Sequence, residues 1–275
     1  MSDAKPVSTR PLENVAETLL YPLISRYVET RKEDGIIRDP KSVEIINALD
    51  YDVDNTKLFP ISQKGACLRT LIFDEAVSGY LKDLPDGTVI NLGCGLDTRF
   101  PRVDNGKLTW FDLDLPETIE IRKRFFTETN RHRLLSTSVL DPSWAKAIPQ
   151  DKAPLILMEG LSFYLTETEN RKVVSIIRQN FKNADFFVEV FHPFFITMCA
   201  YIKSKDPLDK KAVNLLRWGI KNSRTFETWE QGIRLVGEQP VIERGRNLFS
   251  LKNRIMFTLF PILRRMTKIV HLKFE

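Results

Sequence analysis

The sequence is poor in residues that staple or ligate. Its 275 residues hold three cysteines and three histidines. Cys67, Cys94 and Cys199 are an odd number without metal-like spacing. That argues against a disulfide framework and a structural zinc site, so no metal and a reducing cytoplasm are expected. His132, His192 and His271 stand outside any motif and are expected on the surface or in loops; His192, after a predicted strand, is the best placed. Long hydrophobic runs are also missing. The N-terminal stretch has no apolar core or cleavage pattern, and Glu189, His192 and Pro193 interrupt the Phe-rich stretch 184–202, so neither a membrane segment nor a membrane partner is expected. Charge of one sign is not gathered either. The net charge is +5, with Lys and Arg scattered among Asp and Glu, which argues against a nucleic-acid face.

What is present suits one α/β unit. A hydrophobic fraction of 43% fills a core at this length without staples. Residues 1–85 read as an N-terminal helical cap. Asn14 to Thr30 carries a broad apolar face with a kink expected at Pro22; Asp39-Pro40 starts a second helix in N-cap and N1 fashion, and Ser62 to Lys82 forms a third. Residues 86–275 read as a Rossmann-like core of the same structural unit. Strands are expected at 88–92, 108–113, 133–139, 155–158 and 184–191, with helices over 117–130 and 167–181. Alternation of this kind implies a parallel sheet covered on both faces. From Leu235 onward further strands are expected, Leu248 to Met256 among them.

The chemistry concentrates in one unit. The first strand ends in Gly93-Cys94-Gly95, where missing side chains let a ligand lie against backbone. Asp114 follows Gly95 at the carboxyl end of the next strand, where an acid accepts from ribose hydroxyls in Rossmann-like folds. Strand, glycine turn, strand and acid in order point to an adenosine-containing cofactor. The third glycine of a dinucleotide fingerprint is replaced by Thr98, and Asp97 brings a carboxylate where a pyrophosphate would lie. Such an acid suits the cationic, amine-bearing end of S-adenosylmethionine better than NAD.

The runs Asn91–Arg99, Trp110–Pro116, Ser138–Trp144 and Glu159–Leu165 resemble the leucine carboxyl methyltransferase superfamily, within it most the bacterial tetracenomycin-type polyketide O-methyltransferases. The likeness extends upstream to Arg26, Glu29, Asp39-Pro40, Asp50-Tyr51-Asp52 and Arg69. It implies a class I methyltransferase fold with S-adenosylmethionine as donor. Carried over, Arg69 would hold the methionine carboxylate, Gly93 would pack beneath the cofactor and Asp114 would take the ribose hydroxyls. Ser138 and Val139 would border the adenine, and Glu159 would lie near the methionine end or the transferring methyl. Protein-reading insertions of leucine carboxyl methyltransferases are not identifiable in the sequence, which favours a small-molecule acceptor, expected to be polyketide-like or aromatic.

Each residue also has a plainer reading. Arg69 lies on an apolar helical row with Phe73, Ala76 and Tyr80, and could snorkel to solvent instead of gripping a carboxylate. Asp114 could cap the helix before Pro116, Asp112 could be the ribose ligand, and Glu159 could cap a strand end. Asp141 before Pro142 suits a turn. Phe191, Phe194, Phe195, Met198 and Tyr201 could wall an aromatic pocket or simply be packing. No catalytic base stands out, and the oligomeric state is not legible. The expected activity is O-methyl transfer to a small-molecule carboxylate or hydroxyl. The alternatives are a non-catalytic protein binding S-adenosylmethionine or its demethylated product, and an NAD-linked oxidoreductase.

Overall fold

A computed structural model describes residues 17–49, 53, 60–201 and 213–275. The Asp50-Tyr51-Asp52 motif lies outside them. Helices α1 (Glu17–Thr30), α2 (Pro40–Ala48) and α3 (Pro60–Asp83) come first, with Pro22 inside α1. Asp39 caps α2 as its spacing predicts, its side chain accepting from the Ser42 N–H, with Pro40 at the first helical position.

Then come β1 (Thr88–Leu92), α4 (Arg99–Val103), β2 (Thr109–Asp114), α5 (Pro116–Arg122), β3 (His132–Ser136), α6 (Ser143–Lys146) and β4 (Leu155–Met158). The chain continues with α7 (Glu167–Asn180), β5 (Asp185–Phe191), α8 (Pro193–Tyr201), β6 (Ile233–Pro240), α9 (Leu251–Leu259) and β7 (Thr267–Phe274). Seven strands form one sheet in the order β3-β2-β1-β4-β5-β7-β6. β1 to β5 are parallel, whereas β7 runs antiparallel to both β5 and β6. The all-parallel expectation is therefore corrected at this edge.

Every residue of β1 is buried, as a central parallel strand covered on both faces requires. Alternation sends Ile90 and Leu92 to the layer that holds Val173, Val174 and Ile177 of α7. Val89 joins Leu68, Ile72, Phe73 and Val77 of α3 on the other face. A third cluster joins α1 and α2 to Leu96, Ile121 and Phe126, so these helices pack over the region after β1.

Two expected elements differ. The helix over 117–130 stops at Arg122. Beyond it, the Thr129 hydroxyl accepts from the N–H groups of Arg131 and His132, and Glu128 accepts from Leu134, so side chains compete with helical bonding. The strand expected over 248–256 is helical instead. Ser250 caps α9 by accepting from Asn253, and Leu251, Ile255 and Leu259 recur with helical rather than strand spacing.

Candidate active site

The turn after β1 is built for glycine. Gly93 and Gly95 have φ of +67° and +48°, a left-handed region that L side chains avoid. A Cβ on Gly93 would lie 2.6 Å from Leu161 Cδ2, and one on Gly95 2.7 Å from Leu19 Cδ2. The bend therefore lies under Leu161 on one side and α1 on the other.

Asp114, at the end of β2, turns its carboxylate onto this bend. Oδ2 accepts from the Gly95 N–H at 2.7 Å and Oδ1 from the Leu115 N–H at 2.7 Å. Burial raises its pKa, opposed by these two backbone donors. It does not cap α5, whose N-cap position is Leu115. Asp112, two residues earlier in β2, is fully buried, receiving Trp110 Nε1, Asn91 Nδ2 and the Arg122 guanidinium, with His132 Nε2 2.7 Å away. Burial opposes its ionisation, but Arg122 and His132 outweigh that and hold the carboxyl at about 2. Asp112 is thus sealed from ligand. His132 is buried and stacked on Phe100 at 4.2 Å, which corrects the surface expectation.

At the ends of β4 and β5 the charges form a dense cluster. Arg69 is only 9% exposed and does not snorkel. Its Nε donates to Glu159 at 2.7 Å and its Nη1 to Glu189 at 2.9 Å. Arg99 is fully buried: Nε donates to Asp74 at 2.7 Å, Nη1 to Asp97, and Nη2 to the other oxygen of Glu159. Glu159 therefore sits between two guanidinium groups rather than capping a strand. Burial raises its pKa, yet Arg69, Arg99 and Arg26 dominate and hold the carboxyl at about 2. Glu189 goes the other way: burial lifts it, despite Arg69 and the Gly160 N–H at 2.8 Å. Arg69 Nη2 makes none of the described hydrogen bonds and lies 3.8 Å from where a Cβ on Gly160 would stand.

These parts are one network. Arg122 Nη1 donates to the Gly95 carbonyl, and Asn91 Nδ2 bridges Asp112 to Asp97. Asp97 meets Arg99, which leads through Glu159 to Arg69 and Glu189. Sequence reasoning missed Arg99 and Glu189 as partners. Their signals were an Arg closing the Gly93–Arg99 run and a lone acid inside an apolar strand. Ser138 and Val139 follow β3 rather than belong to it. Val139 is buried against Trp144, whose Nε1 donates to its carbonyl, and the Ser138 hydroxyl accepts from Leu140. Asp141 accepts from the Ser143 N–H, the turn role expected of it.

Phe191 stacks on Phe163 at 3.9 Å and meets Phe195 edge-on, whereas Phe194 and Tyr201 are exposed. His192 Nδ1 accepts from the Phe194 N–H at 3.1 Å, and burial with nearby Lys268 and Lys221 lowers its pKa. Its ring offers a donor at Nε2, not a free base. Burial pushes the Cys67 thiol up to about 12 and Cys94 well above its usual value, so neither is an activated nucleophile. Among the described residues no group of three His, Cys, Asp or Glu is placed to hold a metal, and no helix is long and apolar enough to cross a membrane.

This set of groups fits S-adenosylmethionine chemically. A guanidinium matches its carboxylate, an ionised carboxylate its ammonium, and Asp114 beside the glycine bend its ribose diol.

Comparison with known proteins agrees with that chemistry. The chain is 27% identical over 233 residues to a tetracenomycin polyketide synthesis O-methyltransferase of Streptomyces glaucescens, covering 84% of this chain and 85% of that one. It is 28% identical over 185 residues to an S-adenosyl-L-methionine-dependent methyltransferase of Gibberella zeae, covering 61% of each. The fold matches a DUF574 family protein of Streptomyces avermitilis with a TM-score of 0.59 at 11% identity, over 92% of this chain and 96% of that one. It also matches the magnesium protoporphyrin IX methyltransferase of Synechocystis with bound S-adenosylhomocysteine, with a TM-score of 0.50 at 10% identity, over 80% and 90% of the two chains. The sheet is that of class I methyltransferases. The leucine carboxyl methyltransferase profile matches residues 20–178, more than half of the sequence, and the chain belongs to that family of S-adenosylmethionine-dependent methyltransferases.

Proposed function

We propose that the protein is an O-methyltransferase acting on a small-molecule carboxylate or hydroxyl, aromatic or polyketide-like in character. What carries this reading is the similarity to the tetracenomycin polyketide synthesis enzyme along most of both chains. Arg69 holds the donor's carboxylate through Nη2, and Glu159 its ammonium. Asp114 takes the ribose hydroxyls over the Gly93–Gly95 bend, with Ser138 and Val139 at the adenine. Residues 1–85 act as a cap that limits water.

The donor supplies an electrophilic methyl group, and its sulfide leaves without a proton. The protein's task is therefore alignment and desolvation. A carboxylate acceptor is already ionised at neutral pH and needs no base, in keeping with a site where His192 offers only a donor. The half-buried Phe191 and Phe195, backed by the buried Phe163, supply apolar surface for an aromatic acceptor.

The test is incubation with labelled donor and a panel of aromatic acids and phenols. Base-labile methyl esters are expected for a carboxylate acceptor and base-stable ethers for a phenol. Tight S-adenosylhomocysteine binding without transfer to any acceptor would instead assign a non-catalytic binding protein.

A further inference from the structure

The C-terminal segment carries a surface that neither the sheet nor the methyl-transfer site explains. Of the eight Lys and Arg between Arg244 and Phe274, Arg244, Arg264, Lys268 and Lys273 pair with Glu75, Glu243, Glu238 and Asp185, which leaves Arg246, Lys252, Arg254 and Arg265 outside the described ion pairs. The same segment holds the largest exposed apolar side chains near one another in sequence: Leu251 is 70% exposed, Leu259 68%, Phe260 57% and Ile255 49%. Single exposed leucines are ordinary on a protein surface, but a grouped set is not.

Helix geometry arranges them. At ~100° per residue, Leu251, Ile255 and Leu259 fall on one stripe of α9, while Phe257 turns inward and is buried. Lys252 flanks the stripe on one side and Arg254 on the other; both are exposed and form none of the described ion pairs. Phe260 and Ile262, just past the helix, are exposed too, as is Arg265. An apolar stripe bordered by cations is the pattern of a helix lying in a membrane interface. The sequence reading expected no membrane partner because nothing spans a bilayer; a helix lying on the surface needs no span.

We propose that α9 and the turn after it dock on the surface of an anionic lipid bilayer. Charge decides between occupants. Glu243 lines the same groove as Leu251, Arg254 and Ile255 but is paired with Arg264 at 2.8 Å, so two copies meeting through this face would set Lys252 and Arg254 against their counterparts, whereas the negative potential of an anionic leaflet complements them. The helix rests on the body of the protein through the turn before it. Gly245 lies so close to α3 that a Cβ there would be 2.5 Å from Leu68 Cδ2, and Leu68 adjoins Arg69. The docking face thus backs onto the helix that carries the buried arginine. The inference stands whatever the methyl acceptor is.

The experiment is co-sedimentation of the full chain with vesicles of phosphatidylcholine alone and of phosphatidylcholine with phosphatidylglycerol, at low and high salt. Retention is expected on the anionic vesicles at low salt, weakened by high salt. Lys252→Glu with Arg254→Glu should weaken it by at least about fivefold per charge, and Leu251→Glu with Leu259→Glu by more than about tenfold. Both double variants should melt with the wild type, since these side chains are exposed. Failure of the wild type to sediment with anionic vesicles, or equal retention of all variants, overturns the proposal. So does a wild-type dimer in light scattering that Leu251→Glu dissolves, which would give the face to a second copy. Retention on polyglutamate but not on vesicles would give it to an acidic protein and also overturn the proposal.

Discussion

Glu159→Gln keeps the shape of a side chain wedged between two buried arginines and removes its charge. In the folded protein the Glu159 carboxyl lies at about 2 instead of the ordinary 4.5, because Arg69, Arg99 and Arg26 outweigh the cost of burial. That difference corresponds to about 3 kcal/mol of stability at neutral pH. The folded value is depressed, so the contribution is complete above 4.5 and lost as pH falls toward 2. At neutral pH the variant should be less stable by about 3–5 kcal/mol, since Arg69 and Arg99 each lose a partner in a buried network. Urea denaturation of both proteins from neutral pH downward isolates the charge. Asp112, also held at about 2, weakens both alike in acid, so it cancels in the difference. The gap between wild type and variant should narrow by about 2 kcal/mol on reaching about pH 3. A gap that stays constant over that range would refute the argument that the arginines hold this carboxylate ionised.

Two further outcomes follow from the glycine bend. Asp114→Ala should weaken S-adenosylhomocysteine binding in calorimetry by about tenfold to a hundredfold, through loss of charge-assisted hydrogen bonds worth about 1.5–3 kcal/mol. Unchanged affinity would mean that another group takes the ribose. Gly93→Ala combines φ of +67° with a contact 2.6 Å from Leu161, so a loss of about 1–3 kcal/mol is expected in urea denaturation; unaltered stability would show that Leu161 yields freely.

The parallel half of the sheet was legible because local pattern and global role coincide there. Thr88–Leu92 and Leu155–Met158 are short apolar runs between turn signals, and both are strands with the expected bounds. The glycine turn and Asp114 were legible for the same reason, since left-handed backbone and a strand-end acid leave marks at fixed spacing. What stayed hidden depends on pairing across distance. Glu189 meets Arg69 across 120 positions, and nothing local announces it. His132 is polar and isolated in sequence, yet Asp112 on the neighbouring strand makes its burial tolerable. At the C-terminal end, apolar density in 248–256 suggested a strand, while the four-residue spacing that made it a helix ran on to Leu259.

Asp39 has a consequence beyond its own helix. One carboxylate starts α2, pairs with Arg26 of α1 at 2.8 Å and Arg102 of α4 at 3.1 Å, and receives the Thr98 hydroxyl just past the glycine turn. The guanidinium of Arg26 also reaches the Leu96 carbonyl at 3.2 Å. The leading helices are thereby knotted to the very bend they cover. A lesion at the start of α2 would loosen the glycine bend as readily as the helices above it, and trimming those helices away would leave Arg102 without one of its counter-charges.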